Sequence, residues 1–519
     1  MLKYLNTNIG YENYQKLLNT KFFVDKTDII DKLNKHINTT NGYICITRPR
    51  RFGKSSVADM LAAYYTKNID SSNLFNDLNI SKSESYRKNL NSHNTIKIDF
   101  SKLPDEILTY EDYIGSIKSI LEYEIKKSYP HIEEHRYDNT SDLLHKSGDK
   151  FIFIFDEWDF IFNKELFIDN QNDFLEFLRG LLKDNPYVSL CYMTGILPIK
   201  KHSSNSALNM FDEFTFLNDG IYDDYFGFSE NEVKQIVQKQ SKLTYKDLEK
   251  WYNGYFTEDG NRIYNPRSVV KALETGKLRS YWTNTGKMDE VLQYLKYNTL
   301  EVRDDVVKLV NNQVVRVNIR EEYRAGQRTP KTRLEIYSAM IVLGFLSYHE
   351  GLIKIPNQEL MYEYEKALED ESFGQVSEII RRSEKMLEAT LDKDKDTLVE
   401  ILHDIHNMEI PVLKYNDENS LSCVVTLAYL SARDSYRIER EEKNGKGYTD
   451  FTFYPRYSYE SPFILELKKD DTTDNAIAQI KEKEYYKKFK QEYKDREILI
   501  VAICYNSKTK EHSVDIETI

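Results

Sequence analysis

"YICITRPRRFGKSSVADM", residues 43–60, runs a short β-forming stretch into a basic loop and then into a segment with helical spacing. Val57, Met60, Leu61 and Tyr64 recur at i, i+3, i+4 and i+7, which is one face of a helix. Strand, loop and helix in that order form the setting of a phosphate-gripping loop. Gly53, Lys54 and Ser55 supply its closing Gly-Lys-Ser. Gly53 lets the backbone approach, Lys54 is expected to reach the β- and γ-phosphates, and Ser55 to ligate Mg²⁺. Ser56 follows at the positive end of the helix dipole. Position 48, where the motif expects glycine, is arginine. Arg48, Arg50, Arg51 and Lys54 put four positive charges into seven residues. They form either a solvated basic turn or the seat of an anion, because like charges repel. The reading adopted is that the anion is a nucleoside triphosphate.

Working outward, apolar β-rich runs recur at 95–100 (TIKIDF), 151–155 (FIFIF) and 187–194 (YVSLCYMT), with helical periodicity between them. Short apolar strands alternating with helices predict a parallel sheet covered on both faces, with ligands beyond the carboxyl ends of its strands. "FIFIFDEWDF" (151–160) ends its strand in Asp156 and Glu157, with Asp159 two positions on. Asp156 is expected to hold a magnesium water shell, and Glu157 to orient or deprotonate an attacking water. The alternative is an edge strand with a solvated acidic turn, against which five consecutive apolar residues argue. Thr194 ends its strand either as a γ-phosphate sensor or as the cap of the next turn.

The totals bound the rest. A chain of 519 residues exceeds one ordinary core, so two or three domains are expected. A net charge of −12 argues against a general nucleic-acid coat protein, although a local basic channel stays compatible with it. No run of eighteen apolar residues and no basic-then-apolar leader is present, so neither a membrane span nor a secretory signal is expected. Cys45, Cys191, Cys423 and Cys504 form no CxxC pair and suggest neither zinc nor disulfides. The expected location is the cytoplasm.

Eight stretches, two of them within runs already quoted, fall in a telling order: FFVDKT (22–27), ITRPRRFGKS (46–55), FDEWD (155–159), MTGIL (193–197), FGFSENEV (226–233), WYNGY (251–255), YNPRSV (264–269) and YWTNTG (281–286). Together they resemble the AAA-ATPase-like family, whose members commonly carry a C-terminal nuclease domain of the PD-(D/E)XK type. The resemblance covers nearly the whole chain, and the family loop also reads RPRRFGKS, so Arg48 is a family feature. Physical readings accompany some of these pieces. Ser229 and Glu232 form a capping box before Val233, Ile236 and Val237. Pro266 opens a helix, and Arg267 behind it is either a nucleotide sensor or one half of a surface ion pair. From 290 to 410 the spacing is helical, with a charged, exposed connection expected at 315–333 and a hairpin at 346–355, before the family-like IPNQEL (355–360).

The last hundred residues hold the second constellation. "GKGYTDFTFYP" (445–455) and "PFILELKKD" (462–470) read as neighbouring strands, with Glu466 and Lys468 on one face and Asp450 beside them. Two carboxylates and a lysine are the minimum PD-(D/E)XK set. Asp450 and Glu466 would hold Mg²⁺, or Mn²⁺, and Lys468 would orient water or steady developing charge. The alternative is a cross-strand salt bridge, which the apolar residues flanking Glu466 disfavour. Next comes "AIAQIKEKEYYKKF", where Gln479 and Tyr485 match the family's QI…Y. Gln479 is placed toward the metal, and Lys483, Lys487 and Lys488 against a phosphate backbone. The family's arginine is Tyr448 here, and its upstream acid corresponds to Glu441, with Glu439 and Glu442 as rivals. "EILIVAICY" (497–505) reads as a closing strand.

The expected architecture is α/β: a P-loop NTPase parallel sheet with helices on both faces (1–290), a helical middle region (291–410) and an α/β restriction-endonuclease-like domain (411–519). The expected activity is ATP binding, with hydrolysis, coupled to Mg-dependent cleavage of nucleic acid, DNA ahead of RNA. Homo-oligomeric assembly is left open. Two other readings stand beside it. One is an ATP-dependent switch of a mobile-element or defence system with an inactive nuclease fold. The other is a structural helical protein.

Overall fold

The structure is a computed structural model that describes residues 2–102, 109–133, 138–199, 207–218, 220–282, 290–327, 329–406, 418–493 and 496–519. The chain packs as two units, residues 1–286 with 316–360, and residues 287–315 with 361–519.

The first unit is built on five strands, β1 (Tyr43–Thr47), β2 (Asn94–Asp99), β3 (Phe151–Asp156), β4 (Val188–Gly195) and β5 (Asp212–Phe214). They pair in the order β2-β3-β4-β1-β5, every pair parallel. The Phe-Ile repeat of β3 is buried at all six positions, as expected of a central strand with both faces covered. β4 lies between β1 and β3, so the phosphate-loop strand and the acidic strand are one strand apart. The outer rim of β2 is covered by residues 4–6, with Lys97 N–H donating to the Tyr4 carbonyl at 3.0 Å and Asn6 N–H to the Thr95 carbonyl at 2.8 Å. Buried Glu124 accepts the Tyr4 and Leu5 amides at 2.9 Å and fixes that cover.

A second core in this unit collects Phe228, Val233, Ile236, Val237, Leu248, Tyr252, Tyr264 and Val269. The FGFSENEV, WYNGY and YNPRSV stretches therefore build structure. Ser229 and Glu232 make the expected capping box on the helix Glu230–Val237. Asn265 caps the helix Pro266–Thr275, accepting the Ser268 amide at 3.2 Å.

The connection expected to be exposed at 315–333 is so in part: Arg316, Arg320, Glu321 and Lys331 are exposed, whereas other residues are built into the first unit. Val317 and Ala325 are buried, Ala325 N–H donates to the Pro198 carbonyl at 2.9 Å, and Arg324 pairs with Glu213 at 2.7 Å. Arg324 and Glu322 are paired inside the first unit, which also contains the helix Arg333–Val342 and the expected hairpin, Ser347–His349 with Leu352–Lys354. The expected helical middle region, 291–410, accordingly divides between the two units. The boundary drawn at 410–411 and the residues 283–286 of YWTNTG lie outside the described residues.

The second unit is built on β6 (Tyr436–Asn444), β7 (Gly447–Pro455), β8 (Phe463–Lys469), β9 (Leu499–Asn506) and β10 (Glu511–Thr518), paired in chain order. Only β8 and β9 run parallel; the other pairs are antiparallel. β9 is therefore internal, and β10 closes the sheet in its place. Tyr454, Ile464, Ile500 and Ala502 pack with Ile477 and Ile480 of the helix Thr473–Glu482. That helix is shorter than its apolar pattern suggests: it stops at Glu482, Glu484 turns to a left-handed φ of +56°, and helix resumes at Lys487–Glu492. Among the described residues no helix is long and apolar enough to cross a membrane, and all four cysteines are buried free thiols.

Candidate functional site

β1 delivers the basic loop to the carboxyl edge of the first sheet. Arg51 and Gly53 adopt φ of +71° and +93°, and the helix Lys54–Tyr65 begins without a side-chain cap on its first turn. Its leading amides are thus left for an anion. No heavy atom lies within 4 Å of where a Gly53 Cβ would stand, so the approach to those amides is open. Lys54 is buried and donates to the Arg48 and Pro49 carbonyls at 3.0 and 3.1 Å, arching back over the loop. Ser55 is exposed and Ser56 half-exposed.

The arginines are placed differently from the expectation that all three face phosphate. Arg48 is 1% exposed and donates to the carbonyls of Thr47, Phe214 and Thr215 at 2.8, 3.1 and 3.0 Å, with its guanidinium over the Phe226 ring. It replaces the motif glycine by turning into the core and fastening the loop to β5. Arg51 donates to the carbonyls of Tyr281 and Trp282. Arg50 is half-exposed at the loop's rim. Replacing Arg48 by alanine leaves those carbonyls buried without a donor, and is expected to lower stability by about 3 kcal/mol in urea unfolding. A loss below about 0.5 kcal/mol, the range of ordinary surface changes, would show that the cage is dispensable.

One strand beyond, Asp156 is 3% exposed, and Ser55 stands near enough to favour its charged form against that burial, so these two candidate magnesium-site residues come together. Burial, and then the neighbouring Glu157, push the Asp156 carboxyl up to about 7. Asp99 stands in register beside it on β2 and adds to the repulsion. A carboxylate held this way fits a divalent cation. Glu157 is half-exposed with φ +50°, so its side chain is reachable by water. Thr194 does not face a ligand: it is fully buried and its hydroxyl donates to the Ile46 carbonyl at 2.8 Å, inside the sheet. Arg267 is exposed on its helix, with no contact to the loop among the described interactions.

Asp159 was visible in FDEWD, but its role was not. It is fully buried and accepts the Ile196 and Leu197 amides at 3.0 and 2.7 Å, which fixes the loop leaving β4. A Cβ on Gly195 would collide with its Oδ1, so Gly195 in MTGIL is the sequence signal for that contact.

In the second unit the expected pair comes together. The recorded pairing of Phe451 with Leu465 sets Asp450 across from Glu466, and Asp450 Oδ2 accepts the Leu467 amide at 2.7 Å. Lys468 Nζ lies 3.3 Å from Glu466 Oε1, which also accepts Gln479 Nε2. Glu466 is 2% exposed, and its other oxygen, Oε2, is buried with no hydrogen-bond partner. Burial, then the Asp450 charge, push its carboxyl up to about 7. A buried carboxylate oxygen with no donor, beside a second carboxylate, suits a hard cation.

Three expectations are corrected here. Glu441 faces Asp450 in register, since Arg440 pairs with Phe451 and Glu442 with Thr449. Yet Glu441 turns to φ +49° and is exposed, and no group of three His, Cys, Asp or Glu converges on a metal position among the described residues. Of its rivals, Glu442 accepts the Tyr454 hydroxyl at 2.8 Å and pairs with Lys488 at 2.7 Å, while Glu439 lies 3.6 Å from Arg437. Lys487 pairs with Glu484 at 2.8 Å, so of the three expected backbone-facing lysines only the exposed Lys483 has no recorded ion pair. Tyr448, in the arginine's place, is exposed.

Residues 8–204 match the family described as predicted AAA-ATPase, and residues 416–513 match the PD-(D/E)XK nuclease superfamily. The chain joins an AAA-ATPase-like domain to a PD-(D/E)XK nuclease-superfamily domain. It is 25% identical over 294 residues to an uncharacterized protein in the vnfD 5′ region of Azotobacter chroococcum mcd 1, covering 54% of each chain. The chain thus spans about half the length of that curated relative. The Walker-type ATPase of Pyrococcus abyssi shares 13% identity at a TM-score of 0.37, over 65% of this chain and 94% of that one.

The nuclease-like domain carries a pH signature of its own. Unfolded Glu466 ionises near 4.5, whereas the folded group holds its proton to about 7. Between those values the folded state binds more protons, so this contribution to stability falls as pH rises. Without divalent ions, Glu466→Gln is expected to gain on the order of 3 kcal/mol over the parent at pH 7.5 and little at pH 4.5. Denaturant unfolding at both pH values checks this; a gain independent of pH would refute it.

Proposed function

We propose that the chain is a nucleotide-dependent nuclease, in which ATP binding and hydrolysis at the first sheet govern Mg-dependent hydrolysis of nucleic acid by the second unit. The observation that carries the cutting half is the orphaned, buried Oε2 of Glu466 beside Asp450, with Lys468 and Gln479 on its other oxygen. Asp450 and Glu466 would hold Mg²⁺ or Mn²⁺, with water and phosphate oxygens completing the coordination, as Mg²⁺ commonly has them do. When bound, the ion supplies Lewis-acid polarisation of the phosphate and a more acidic water. Lys468 offers a positive charge to the developing phosphorane-like oxygen or orients the attacking water, and Gln479 fixes the Glu466 carboxylate.

In the first unit Ser55 and Asp156 would hold the magnesium of MgATP, the leading helix amides and Lys54 would bind phosphate, and Glu157 would position water. Lys54 must then exchange its two loop carbonyls for phosphate oxygens. DNA is favoured over RNA as the polymer. The proposed setting is the cytoplasm, supported by the four buried thiols.

The exposed Glu441 favours a second reading, an ATP-dependent switch whose nuclease fold no longer cuts, since it leaves the upstream acid away from the pair. Incubating the full chain with single- and double-stranded DNA and RNA, with Mg²⁺ or Mn²⁺ and with or without ATP, separates the two. Divalent-dependent products whose yield changes with ATP are expected. No product under any condition would leave the switch.

A further inference from the structure

Three of the sequence stretches that neither phosphate chemistry absorbs meet at one buried carboxylate in the first unit. Glu359, of IPNQEL, is 1% exposed. Its Oε1 accepts the Tyr281 and Trp282 amides at 2.6 and 2.8 Å and the Ser268 hydroxyl at 2.9 Å. Its Oε2 is buried with no hydrogen-bond partner. The carbonyls of the same two residues, Tyr281 and Trp282, accept Arg51 of the phosphate loop, and the guanidinium lies 5.7 Å from the centre of the Trp282 ring. A parallel link runs from Asn265, whose side-chain amide donates to the Arg50 carbonyl at 3.4 Å while its oxygen caps the helix bearing Ser268. Arg51 holds its left-handed backbone two residues before Gly53, in the turn that exposes the helix amides.

We propose that Glu359 is a positioning residue for the nucleotide site: by gripping the amide side of the Tyr281–Trp282 segment it presents that segment's carbonyls to Arg51, and so holds the phosphate loop in its open, anion-accepting turn. This rests on the first unit binding nucleotide. Glu359 touches no phosphate in this account; it acts through Arg51. The loop needs such a tether because Arg51 occupies a backbone region that non-glycine side chains avoid, and such conformations persist where the surroundings hold them. A neutral amide could accept the same three donors, so the acid differs by its charge: burial pushes the Glu359 carboxyl up to about 7, the Arg51 charge opposes that shift, and the ionised form, which prevails above that pH, adds attraction for the guanidinium beyond the peptide units.

The test is a double-mutant cycle on the full chain, read as MgATP affinity. Arg51→Ala and Glu359→Gln are each expected to weaken binding by about tenfold, within the range seen for residues that act on a site through others. The double variant should bind no worse than the weaker of the two, because both changes open the same tether. Losses that multiply would overturn the proposal, as would a Glu359→Gln protein that melts at a lower temperature yet binds MgATP like the parent. Circular dichroism and melting curves confirm that the variants are folded. Hydrogen exchange supplies a readout free of nucleotide: amides of residues 51–53 should exchange faster in Glu359→Gln. Should the parent itself bind no nucleotide, the ATPase reading falls while the exchange result still decides the tether. Unchanged exchange at 51–53 sinks the tether even if ATP binds.

Discussion

Glu466→Ala protein is expected to bind MgATP as the parent does and to lose divalent-dependent cleavage by at least about a thousandfold, the equivalent of some 4 kcal/mol of barrier. Glu466 supplies the one buried carboxylate oxygen in the second unit's constellation that is left for an ion, and it seats both Lys468 and Gln479. Alanine removes the ligand and lets those two side chains drift. Glu466→Gln refines the result. It keeps the size and the acceptor for Lys468, so a loss of cutting in this variant points to the missing charge. Residual cleavage at parental rates in either variant would place the chemistry elsewhere. ATP binding that fell with Glu466→Ala would mean that the change had damaged more than its own unit.

Lys54→Ala is expected to lower MgATP affinity by about a hundredfold, in line with the loss of charge-assisted hydrogen bonds to phosphate worth up to about 3 kcal/mol. Lys54 also holds the Arg48 and Pro49 carbonyls, so part of that loss comes through a slackened loop. Glu157→Gln separates binding from turnover: a half-exposed side chain beside Asp156 should be dispensable for affinity and needed for hydrolysis. Equilibrium binding and phosphate release measure the two. Parental affinity in Lys54→Ala would remove the nucleotide site from the basic loop.

How much of this was readable beforehand depends on where each residue's partners lie in the chain. The four main strands of the first sheet fall within a residue or so of their apolar runs, because a strand buried on both faces writes itself as a continuous apolar word. The capping box at Ser229 and the proline start at Pro266 are equally local, and both are present. Asp450, Glu466, Lys468 and Gln479 were legible because strand alternation and one following helix suffice to gather them. Arg48 was not. Its acceptors include a carbonyl 166 residues further on, and no local pattern tells a guanidinium to face inward. Within 315–333, Arg324 misled for the same reason, since its partner Glu213 lies 111 residues earlier. Glu441 stands at the right register, and a single left-handed backbone angle leaves it exposed.

The interleaved chain path has an outcome for biosynthesis. Residues 316–360, with Glu359 among them, complete the first unit only after 287–315, which belong to the second, have left the ribosome. Synthesis at roughly 5–20 residues per second therefore keeps the nascent ATPase-like body unfinished for several extra seconds. A fragment stopped at residue 290 would lack its last pieces altogether, and one begun at 411 would be missing the helices made before it.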